Sequence, residues 1–341
     1  MKNTEVYNEL VQKMRTFFQS KGFKEVPTQS RLSILAACEN PHSITTFEYK
    51  GEIWPLPQTG QMWLEYELLQ NPEWPGVFCI STSYRQEKDP IPGRHELIFP
   101  MFEFESKGGM KELLKLESEL LAFLGFDSPV EVNYDDVCEE YGGVPILENE
   151  HETKMWKEKG DVVSLQNFPV RTNPFWNMKS GEGDKFNKVD VILYGQETIG
   201  SAERSCDVDE MREMFYTIEN GGYSAKLFEL FGKERVEKEL EEFLSHKFFK
   251  RFGGGIGMTR MARAYEMMKA EHDELHMNYG DVNKFWMKNF EVKNRYTKEM
   301  SDKFLSEYKS SGECYVENPD FYGNWKWKKF GTEEYKNSFK K

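Results

Sequence analysis

The chain has 341 residues, of which 38% are apolar and 15% aromatic, enough to bury a sizeable core and too many for a disordered chain. The net charge of −13 argues against a surface that binds nucleic acid throughout, although it leaves room for a local basic patch. The scattered cysteines lack zinc-ligand spacing, the N-terminus lacks the apolar region of a signal peptide, and no apolar run approaches a membrane span. We therefore expect a soluble cytoplasmic protein with reduced thiols and no membrane partner.

Hydrophobic spacing and glycine positions give the elements in chain order. Helices are predicted over residues 5–21, 110–125, 226–250 and 258–270, and strands over residues 23–26, 77–81, 97–105 and 189–194, with a further strand from Glu197. Strands and helices do not alternate as they do in a βαβ array. The order therefore predicts an α+β fold, in which helices flank an antiparallel sheet.

The composition changes towards the C-terminus. Residues 281–341 contain 13 Lys and Arg against 10 Asp and Glu, a net charge of +3, together with 14 aromatic residues. We therefore expect a core over residues 1–272 and a basic, aromatic extension of unknown role over residues 273–341. The extension could be a packing arm or lid, or a surface on which nucleic-acid bases stack.

The most informative stretch is YRQEKDPIPGRHELIFPMFEFES, residues 84–106. It is typical of a hairpin whose Pro/Gly loop carries charged residues at both ends. These are Arg85 and Glu87 at the start, Arg94 and His95 at the end, and Phe99 follows on the next strand. The guanidinium of an arginine there can bind two phosphate oxygens at once, and a phenylalanine ring can stack on a purine. The alternative is a solvated loop whose charges pair with one another.

A second stretch, FGGGIGMTRMARA, covers residues 252–264. It is neither a Walker loop nor a G-x-G-x-x-G fingerprint, but it places Arg260 in the first turn of a predicted helix after a run of glycines. The glycines would let a nucleotide approach the backbone, and the helix N-terminus and the arginine would favour phosphate.

A third stretch, VDVILYGQETIGSAERS, places Asp190 and Glu197 seven residues apart across a strand, a turn and a strand. Two carboxylates in this arrangement can bind a Mg²⁺ ion that bridges phosphates. The alternative is a pair of acidic residues that are solvated at a turn.

Together these stretches resemble the class II aminoacyl-tRNA synthetases. The hairpin residues Arg85, Glu87, Arg94, His95 and Phe99 match motif 2 of that class, and the glycine run with Arg260 matches motif 3. The resemblance implies that all six residues bind ATP. It further implies that Arg85 acts on the α-phosphate and Arg260 on the γ-phosphate, so that these two are catalytic.

The pattern D-x6-E-x6-R resembles the aspartyl and asparaginyl branch of the class. In that branch the two acids, here Asp190 and Glu197, bind metal, and the arginine, here Arg204, meets the side-chain oxygen of the amino acid.

The segment LPQTGQMWLEYELL, residues 56–69, resembles the substrate-binding segment of the same branch. The resemblance implies that Gln61 binds the α-amino end of the amino acid. Leu64 stands where the aspartyl enzymes have a lysine for the β-carboxylate. Glu103 stands where the asparaginyl enzymes have a glutamate that accepts from the side-chain amide. Leu64, Glu103 and Arg204 thus outline a pocket that is more asparagine-like than aspartate-like.

The resemblance covers residues 5–270 and leaves no room for the N-terminal β-barrel that reads the anticodon in this branch. Motif 1, which forms the dimer interface, is altered, because Gln29 stands at its proline position; a homodimer is still expected. A core without the anticodon reader resembles the class II paralogues that activate an amino acid without tRNA, among them asparagine synthetases of the aspartate–ammonia ligase kind, including archaeal relatives of the asparaginyl enzymes.

The sequence therefore predicts an ATP- and Mg²⁺-dependent ligase that forms an aminoacyl-adenylate from aspartate, asparagine or a close analogue. Ammonia or an amine would then attack the adenylate to form an amide, a step that needs no Ser, His or Cys nucleophile. Two alternatives stay open. One is aminoacylation of tRNA in the manner of an asparaginyl-tRNA synthetase, and the other is a non-catalytic regulatory paralogue.

Overall fold

A computed structural model describes residues 3–28, 32–34, 40–277, 315–319 and 325–329. The chain divides into two units, Met1–Ala270 and Glu271–Lys341. The motif 1 position Gln29 and most of the C-terminal extension lie outside the described residues. The homodimer and the role of the extension therefore stay predictions.

Apart from the helix over residues 226–250, each predicted helix and strand of the first unit is present, among further elements that were not predicted. The helices are α1 (Thr4–Ser20), α2 (Gln61–Gln70), α3 (Met110–Leu124), α4 (Tyr134–Glu140), α5 (Asn149–Lys159), α6 (Val208–Thr217), α7 (Gly222–Phe231), α8 (Lys233–Leu244) and α9 (Met258–Met277), which continues into the second unit. The strands are β1 (Lys24–Glu25), β2 (Thr46–Tyr49), β3 (Glu52–Pro55), β4 (Gly76–Tyr84), β5 (Ile98–Lys107), β6 (Val130–Asn133), β7 (Val162–Pro169), β8 (Lys185–Leu193), β9 (Gln196–Glu203) and β10 (Arg251–Gly257). The second unit contains the antiparallel pair β11 (Tyr315–Pro319) and β12 (Trp325–Lys329).

The single helix predicted over residues 226–250 is wrong. The chain breaks at Gly232, whose φ of +83° lies in the left-handed region that glycine adopts at little cost, and α8 ends at Leu244. The helical spacing of apolar residues continues through the break in the chain, because α7 and α8 bury their apolar faces in the same cluster. The pattern alone therefore gave no sign of the interruption.

An eight-stranded sheet in the order β1-β4-β5-β10-β9-β8-β7-β6 forms the centre of the first unit. Neighbouring strands are antiparallel except at the two edges, where β1 runs parallel to β4 and β6 parallel to β7. The predicted α+β fold with an antiparallel sheet is thus confirmed. No described helix is long and apolar enough to cross a membrane.

One face of the sheet is covered by α1, α3 and α9, and this layer is the main hydrophobic core. Its centre is Phe18 of α1, which is fully buried. The Phe18 ring lies 5.1 to 5.8 Å from the rings of Phe78, Phe102 and Phe104 on the sheet. Aromatic residues at alternate positions of β5 point into this core, so the intervening residues of β5 must face the opposite side.

Replacement of Phe18 by alanine is expected to lower the free energy of unfolding by about 3–5 kcal/mol, because it leaves a cavity among the four rings. The measurement is urea unfolding followed by circular dichroism. Phe123→Ala is the matched control, since Phe123 of α3 is 47% exposed; its effect should stay below about 1 kcal/mol. Equal losses in the two variants would contradict this account of the core.

Candidate active site

A strip of glycines forms the floor of the cavity on the open face of the sheet. Gly253 and Gly255 of β10 pair with Glu105 and Glu103 of β5, so these four residues share the open face. A Cβ atom at Gly253 would lie 1.7 Å from Glu105 Oε2, and one at Gly255 would lie 2.7 Å from the terminal methyl of Met101. At Gly253 a side chain would displace the buried carboxylate of Glu105, whereas at Gly255 the end of the flexible Met101 side chain could shift.

The cavity above this strip has a volume of about 270 Å³. It brings together ten of the twelve residues that the sequence predicted for the site. These are Gln61, Arg85, Glu87, Arg94, His95, Phe99, Glu103, Glu197, Arg204 and Arg260. They come from α2, the β4–β5 hairpin, β9 and α9, so the fold assembles residues that are far apart in the sequence.

The two ends of the β4–β5 hairpin form one wall. The guanidinium of Arg85 lies 5.3 Å from the centre of the Phe99 ring, and its Nε donates to the Ser83 hydroxyl at 3.2 Å. The Glu87 carboxylate lies 3.0 Å from His95 Nδ1, which joins the start of the loop to its end. Glu87 and His95 are thus close enough to pair within a wall that faces the cavity.

Arg94 and Arg260 line the cavity where the β4–β5 loop ends, and Arg260 Nε donates to the backbone oxygen of Arg94 at 3.3 Å. Arg94 donates to Asn149 Oδ1, to the backbone oxygen of Gly195 and to the carboxylate of Glu152. Arg260 Nη1 donates to the backbone oxygen of Glu197 at 2.7 Å. A phosphate at this end would therefore compete with Glu152 for Arg94. The sequence analysis missed Glu152, which lies on α5 in no motif.

A buried ionic network lies beneath the part of the cavity that Gln61 and Arg204 line. Arg204 is 1% exposed and donates to Gln61 Oε1 at 2.8 Å and to both carboxylate oxygens of Glu105. Arg251 donates twice to Glu65 Oε2, at 2.7 and 3.1 Å. Burial raises the pKa of Glu105 to about 7, and the two arginines oppose this shift.

The sequence analysis missed Glu65, Glu105 and Arg251. One signal was available for Glu105, because residues two apart on a strand share a face and Glu103 was already a predicted site residue. Glu65 and Arg251 gave no such signal, because their partners come from other elements. Gln61 Nε2 also donates to the backbone oxygen of Gly254 at 2.8 Å, which ties the network to the glycine strip.

Two predicted substrate-binding residues have roles inside the protein. Glu103 is fully buried and accepts hydrogen bonds from the Gly60 amide and from the hydroxyls of Thr59 and Ser81. Leu64 does not line the cavity. It is fully buried in an apolar cluster that includes Leu68, Val77 and Cys79. Leu64 therefore supplies no cation to the pocket. The hydrogen bonds of Glu103 hold the turn before α2 in place.

The predicted metal ligands Asp190 and Glu197 both line a second cavity of about 420 Å³. Glu197 also lines the main cavity, which Asp190 does not reach. Lys188 Nζ donates to Asp190 Oδ2 at 2.6 Å, and Asp190 Oδ1 is buried without a hydrogen-bond partner among the described residues. Burial raises the pKa of Asp190 to about 7.

This arrangement is only a partial fit to Mg²⁺. No cluster of three or more acidic, histidine or cysteine side chains able to hold a metal occurs in the described part of the chain. The Lys188 ammonium would repel a divalent cation at Asp190, whereas Glu197 lies at the edge of the main cavity, where substrate phosphates could supply further ligands.

Glu117 lies behind the sheet, on the core side of β9. It is 3% exposed, and the hydroxyl of Ser201 donates to its Oε1 at 2.6 Å. Burial raises the pKa of Glu117 to about 8. Ser201 follows Gly200, which lines the main cavity, so this carboxyl group supports the strand from the rear.

The family model described as tRNA synthetases class II (D, K and N) matches residues 1–270. This chain belongs to that family. The match spans the sheet, the hairpin, the glycine strip and every predicted site residue. The sequence-based assignment to the class II synthetases is therefore confirmed at the level of the family that joins the D, K and N enzymes.

Solved structures of the same class share the fold of this class II family member. Asparaginyl-tRNA synthetase from Pyrococcus horikoshii, complexed with asparaginyl-adenylate, has a TM-score of 0.65 at 18% identity, over 78% of this chain and 65% of its own. The enzyme from Entamoeba histolytica, also with asparaginyl-adenylate, has a TM-score of 0.60 at 17% identity, over 76% and 63%. A putative aspartyl-tRNA synthetase from Leishmania major gives 0.60 at 17%, over 76% and 61%.

Sequence identities this low establish a shared fold, and they do not establish a shared activity, substrate or partner. The chain spans less than two thirds of the length of each of these structures. No curated protein matches the sequence. The activity, substrates and partners of this family member must therefore be argued from its own residues.

Replacement of Gly253 by alanine is expected to lower the free energy of unfolding by about 3 kcal/mol or more. The new methyl group would push Glu105 away from Arg204 and leave a buried charge without its partner. Gly257→Ala is the matched control on the same strand, because its Cβ would meet no atom closer than 3.9 Å. Urea unfolding compares the two, and an unchanged Gly253→Ala protein would contradict the tight fit.

The carboxyl group of Glu117 predicts a pH dependence of stability. Its folded-state pKa, about 8, lies above the ordinary value of 4.5 that applies after unfolding. The folded protein therefore keeps a proton that the unfolded chain loses, and the stabilisation is lost as the pH rises from about 5 to 8. The slope for one such group is about 1.4 kcal/mol per pH unit.

Glu117→Gln keeps an acceptor for Ser201 and removes this proton. The free energy of unfolding of the variant, measured relative to wild type at pH 5.5, 6.5 and 7.5, should rise steadily with pH. Glu139→Gln, at an exposed position of α4, serves as the control and should show no trend. A constant difference between Glu117→Gln and wild type would show that Glu117 is ionised in the folded protein.

Proposed function

We propose that this protein activates an amino acid with ATP and transfers it to ammonia or an amine, forming an amide. The observation that carries the proposal is that one cavity joins two sets of residues. One set suits a nucleoside triphosphate and consists of Arg85, Phe99 and Arg260. The other set suits an amino acid and consists of Gln61 and Arg204. The glycine strip between them leaves room for the bond that links the two substrates.

In the first step a carboxylate oxygen of the amino acid attacks the α-phosphorus of ATP, and pyrophosphate leaves. In this proposal the guanidinium of Arg85 stabilises the charge that develops on the α-phosphoryl group, and Arg260 stabilises the leaving group. Phe99 offers a ring face to the adenine. Because Arg85 is held by Ser83 and Phe99, little reorganisation is needed when the charge develops.

The amino-acid end favours a side chain without a full negative charge. The charge of Arg204 is already balanced by Glu105, and Leu64 contributes no cation. A β-carboxylate would enter a region that holds Glu65, Glu103 and Glu105, whereas an amide could exchange hydrogen bonds with Gln61 and Arg204. Asparagine or a close analogue is therefore the first substrate to test, with aspartate as the second.

Magnesium would enter with ATP, bound mainly by the phosphates, and Glu197 is the residue placed to share it. When bound, the ion would neutralise phosphate charge. In the second step the nitrogen of ammonia or an amine attacks the carbonyl carbon of the adenylate, AMP leaves with the electron pair of the broken C–O bond, and a proton passes to water.

Aminoacylation of tRNA is the second candidate function. It is supported by the fold, since the neighbours described above are tRNA synthetases, two of them with asparaginyl-adenylate bound. The same first step would then precede transfer to a tRNA hydroxyl in place of an amine.

The test is amino-acid-dependent exchange of pyrophosphate into ATP, with asparagine, aspartate and a panel of other acids. Arg85→Ala should lower the exchange rate by about 100-fold or more, because one preorganised donor is worth about 3–4 kcal/mol. Arg212→Ala is the matched control, since Arg212 is on the surface of α6 and pairs with Asp209 and Glu241; it should exchange at the wild-type rate.

Product analysis then separates the two candidates. Formation of AMP that depends on ammonia or an amine supports amide synthesis, and AMP formation that depends only on tRNA supports aminoacylation. A folded wild-type protein that shows no exchange with any acid would contradict both and favour a regulatory paralogue.

A further inference from the structure

A third cavity lies on the core side of the sheet. It is lined by residues of α3, of β6 with the segment before it, and of β7 and β8, and we call it the rear cavity. Its volume is about 150 Å³. A single water molecule needs about 10–15 Å³ of such space, so the rear cavity has room for a small molecule. No described residue lines both the rear cavity and either of the two cavities above.

One face of α3 forms the roof of the rear cavity. Four residues of this helix line it, and their spacing of i, i+3, i+4 and i+7 places them on one side of the helix. They are Leu114, Glu117, Ser118 and Leu121. The helix therefore presents two apolar side chains, one hydroxyl and one carboxyl group to the cavity.

A row of register partners on the sheet forms the floor. Ser164 of β7 pairs with Glu131 of β6 on one side and with Val191 of β8 on the other, so the three side chains share one face of the sheet. Ser164 is small, as is Ser118 on the roof. Larger side chains at these two positions would fill the space, so the cavity follows from the choice of residues on both elements.

The rear cavity opens to solvent at one end. Ser128 and Glu131 are exposed there, whereas Glu117, Ser164 and Val191 are buried. A molecule from solvent can therefore enter at the edge strand β6 and reach the carboxyl group of Glu117 without passing through the candidate active site.

Glu117 has one oxygen that lacks a partner. The side chain is 3% exposed, and its Oε1 accepts from the Ser201 hydroxyl at 2.6 Å. Its Oε2 is buried and has no hydrogen-bond partner within the described part of the chain. Such an atom costs free energy until a ligand supplies the missing hydrogen bond.

The charge of the lining favours a cation. Glu117 and Glu131 are both acidic, and the residues described around the rear cavity include no lysine or arginine. Leu114, Leu121 and Val191 provide an apolar wall beside these carboxyl groups. The lining thus suits a small ligand that carries a positive charge on one side and hydrocarbon on the other.

We propose that the rear cavity binds a small organic cation whose N–H groups donate to Oε2 of Glu117. Hydrogen bonds between an ionised donor and a carboxylate are the strong ones, and the Ser118 hydroxyl of the same cavity can accept a further N–H. The site does not depend on the proposed function, because binding of the cation requires neither ATP nor an amino acid.

The binding test uses isobutylammonium and methylguanidinium chlorides as probes. Isobutanol and isobutyrate are the neutral and anionic controls of similar shape. Calorimetry at pH 8.5 should detect both cations and neither control. Glu117→Gln should weaken binding of the cations about tenfold or more, because it removes the negative charge and keeps an acceptor for Ser201. Glu139→Gln, at an exposed position of α4, should bind them normally.

A second pair of variants tests the cavity itself. Ser118→Leu fills the space and leaves the carboxyl group of Glu117 in place, and it should also weaken binding about tenfold or more. Ala122→Leu is the matched control, because it adds the same side chain at an exposed position of α3 that does not line the cavity. It should bind the cations normally.

Binding should also depend on pH. Burial raises the pKa of Glu117 to about 8; the Ser201 hydrogen bond opposes the shift, and the charge of Asp190 on β8 adds to it. Glu131 of β6 is the other acidic group of the lining. A cation must displace the proton of Glu117, so the affinity for methylguanidinium, which stays charged, should rise about tenfold from pH 6.5 to 7.5 and level off above pH 8.5.

Three results would overturn the assignment. The first is equal binding of isobutanol and isobutylammonium, which would make the cavity a general apolar site. The second is undiminished binding of the cations by Ser118→Leu or by folded Glu117→Gln. The third is an affinity for methylguanidinium that does not change between pH 6.5 and 8.5. If Glu117→Gln fails to fold, Ser118→Leu and the pH profile of the wild-type protein decide the question.

Discussion

The candidate active site depends on one buried arrangement of charge. Arg204 and Arg251 share the carboxylates of Glu65 and Glu105 beneath the glycine strip, with all four side chains at most 1% exposed. Removal of one member would leave a charge in a region of low dielectric constant, so the four positions constrain one another. Gly253 is bound by the same constraint, because any side chain there would occupy the place of the Glu105 carboxylate.

This network also changes what the arginine of the family motif can bind. An arginine at position 204 predicts attraction to an acidic substrate when it is considered alone. With Glu105 in contact and Leu64 in place of a cation, the same arginine becomes a neutralised donor. The chemistry that a ligand meets is therefore set by the sum of the buried charges, and the arginine is one part of that sum.

The two faces of the central strands carry different tasks. On β5 the residues Phe102 and Phe104 fill the core, while Glu103 and Glu105 lie on the opposite face, where Glu103 lines the cavity and Glu105 pairs with Arg204 beneath it. On β9 the Ser201 hydroxyl contacts Glu117 on the core side, and Gly200 lines the cavity. Because each strand contributes side chains to both faces, a substitution in the core can shift residues that line the cavity, even where the substituted residue contacts no ligand.

The sequence by itself determined the family, the antiparallel sheet and ten of the residues that line the cavity, because motifs and alternating side chains are local patterns. Only the tertiary structure decided which charges meet. Glu152 joins Arg94 across two elements, Leu64 turns into the core, and Asp190 faces a second cavity with Lys188 beside it. These outcomes depend on contacts between segments far apart in the chain, which no spacing of residues records.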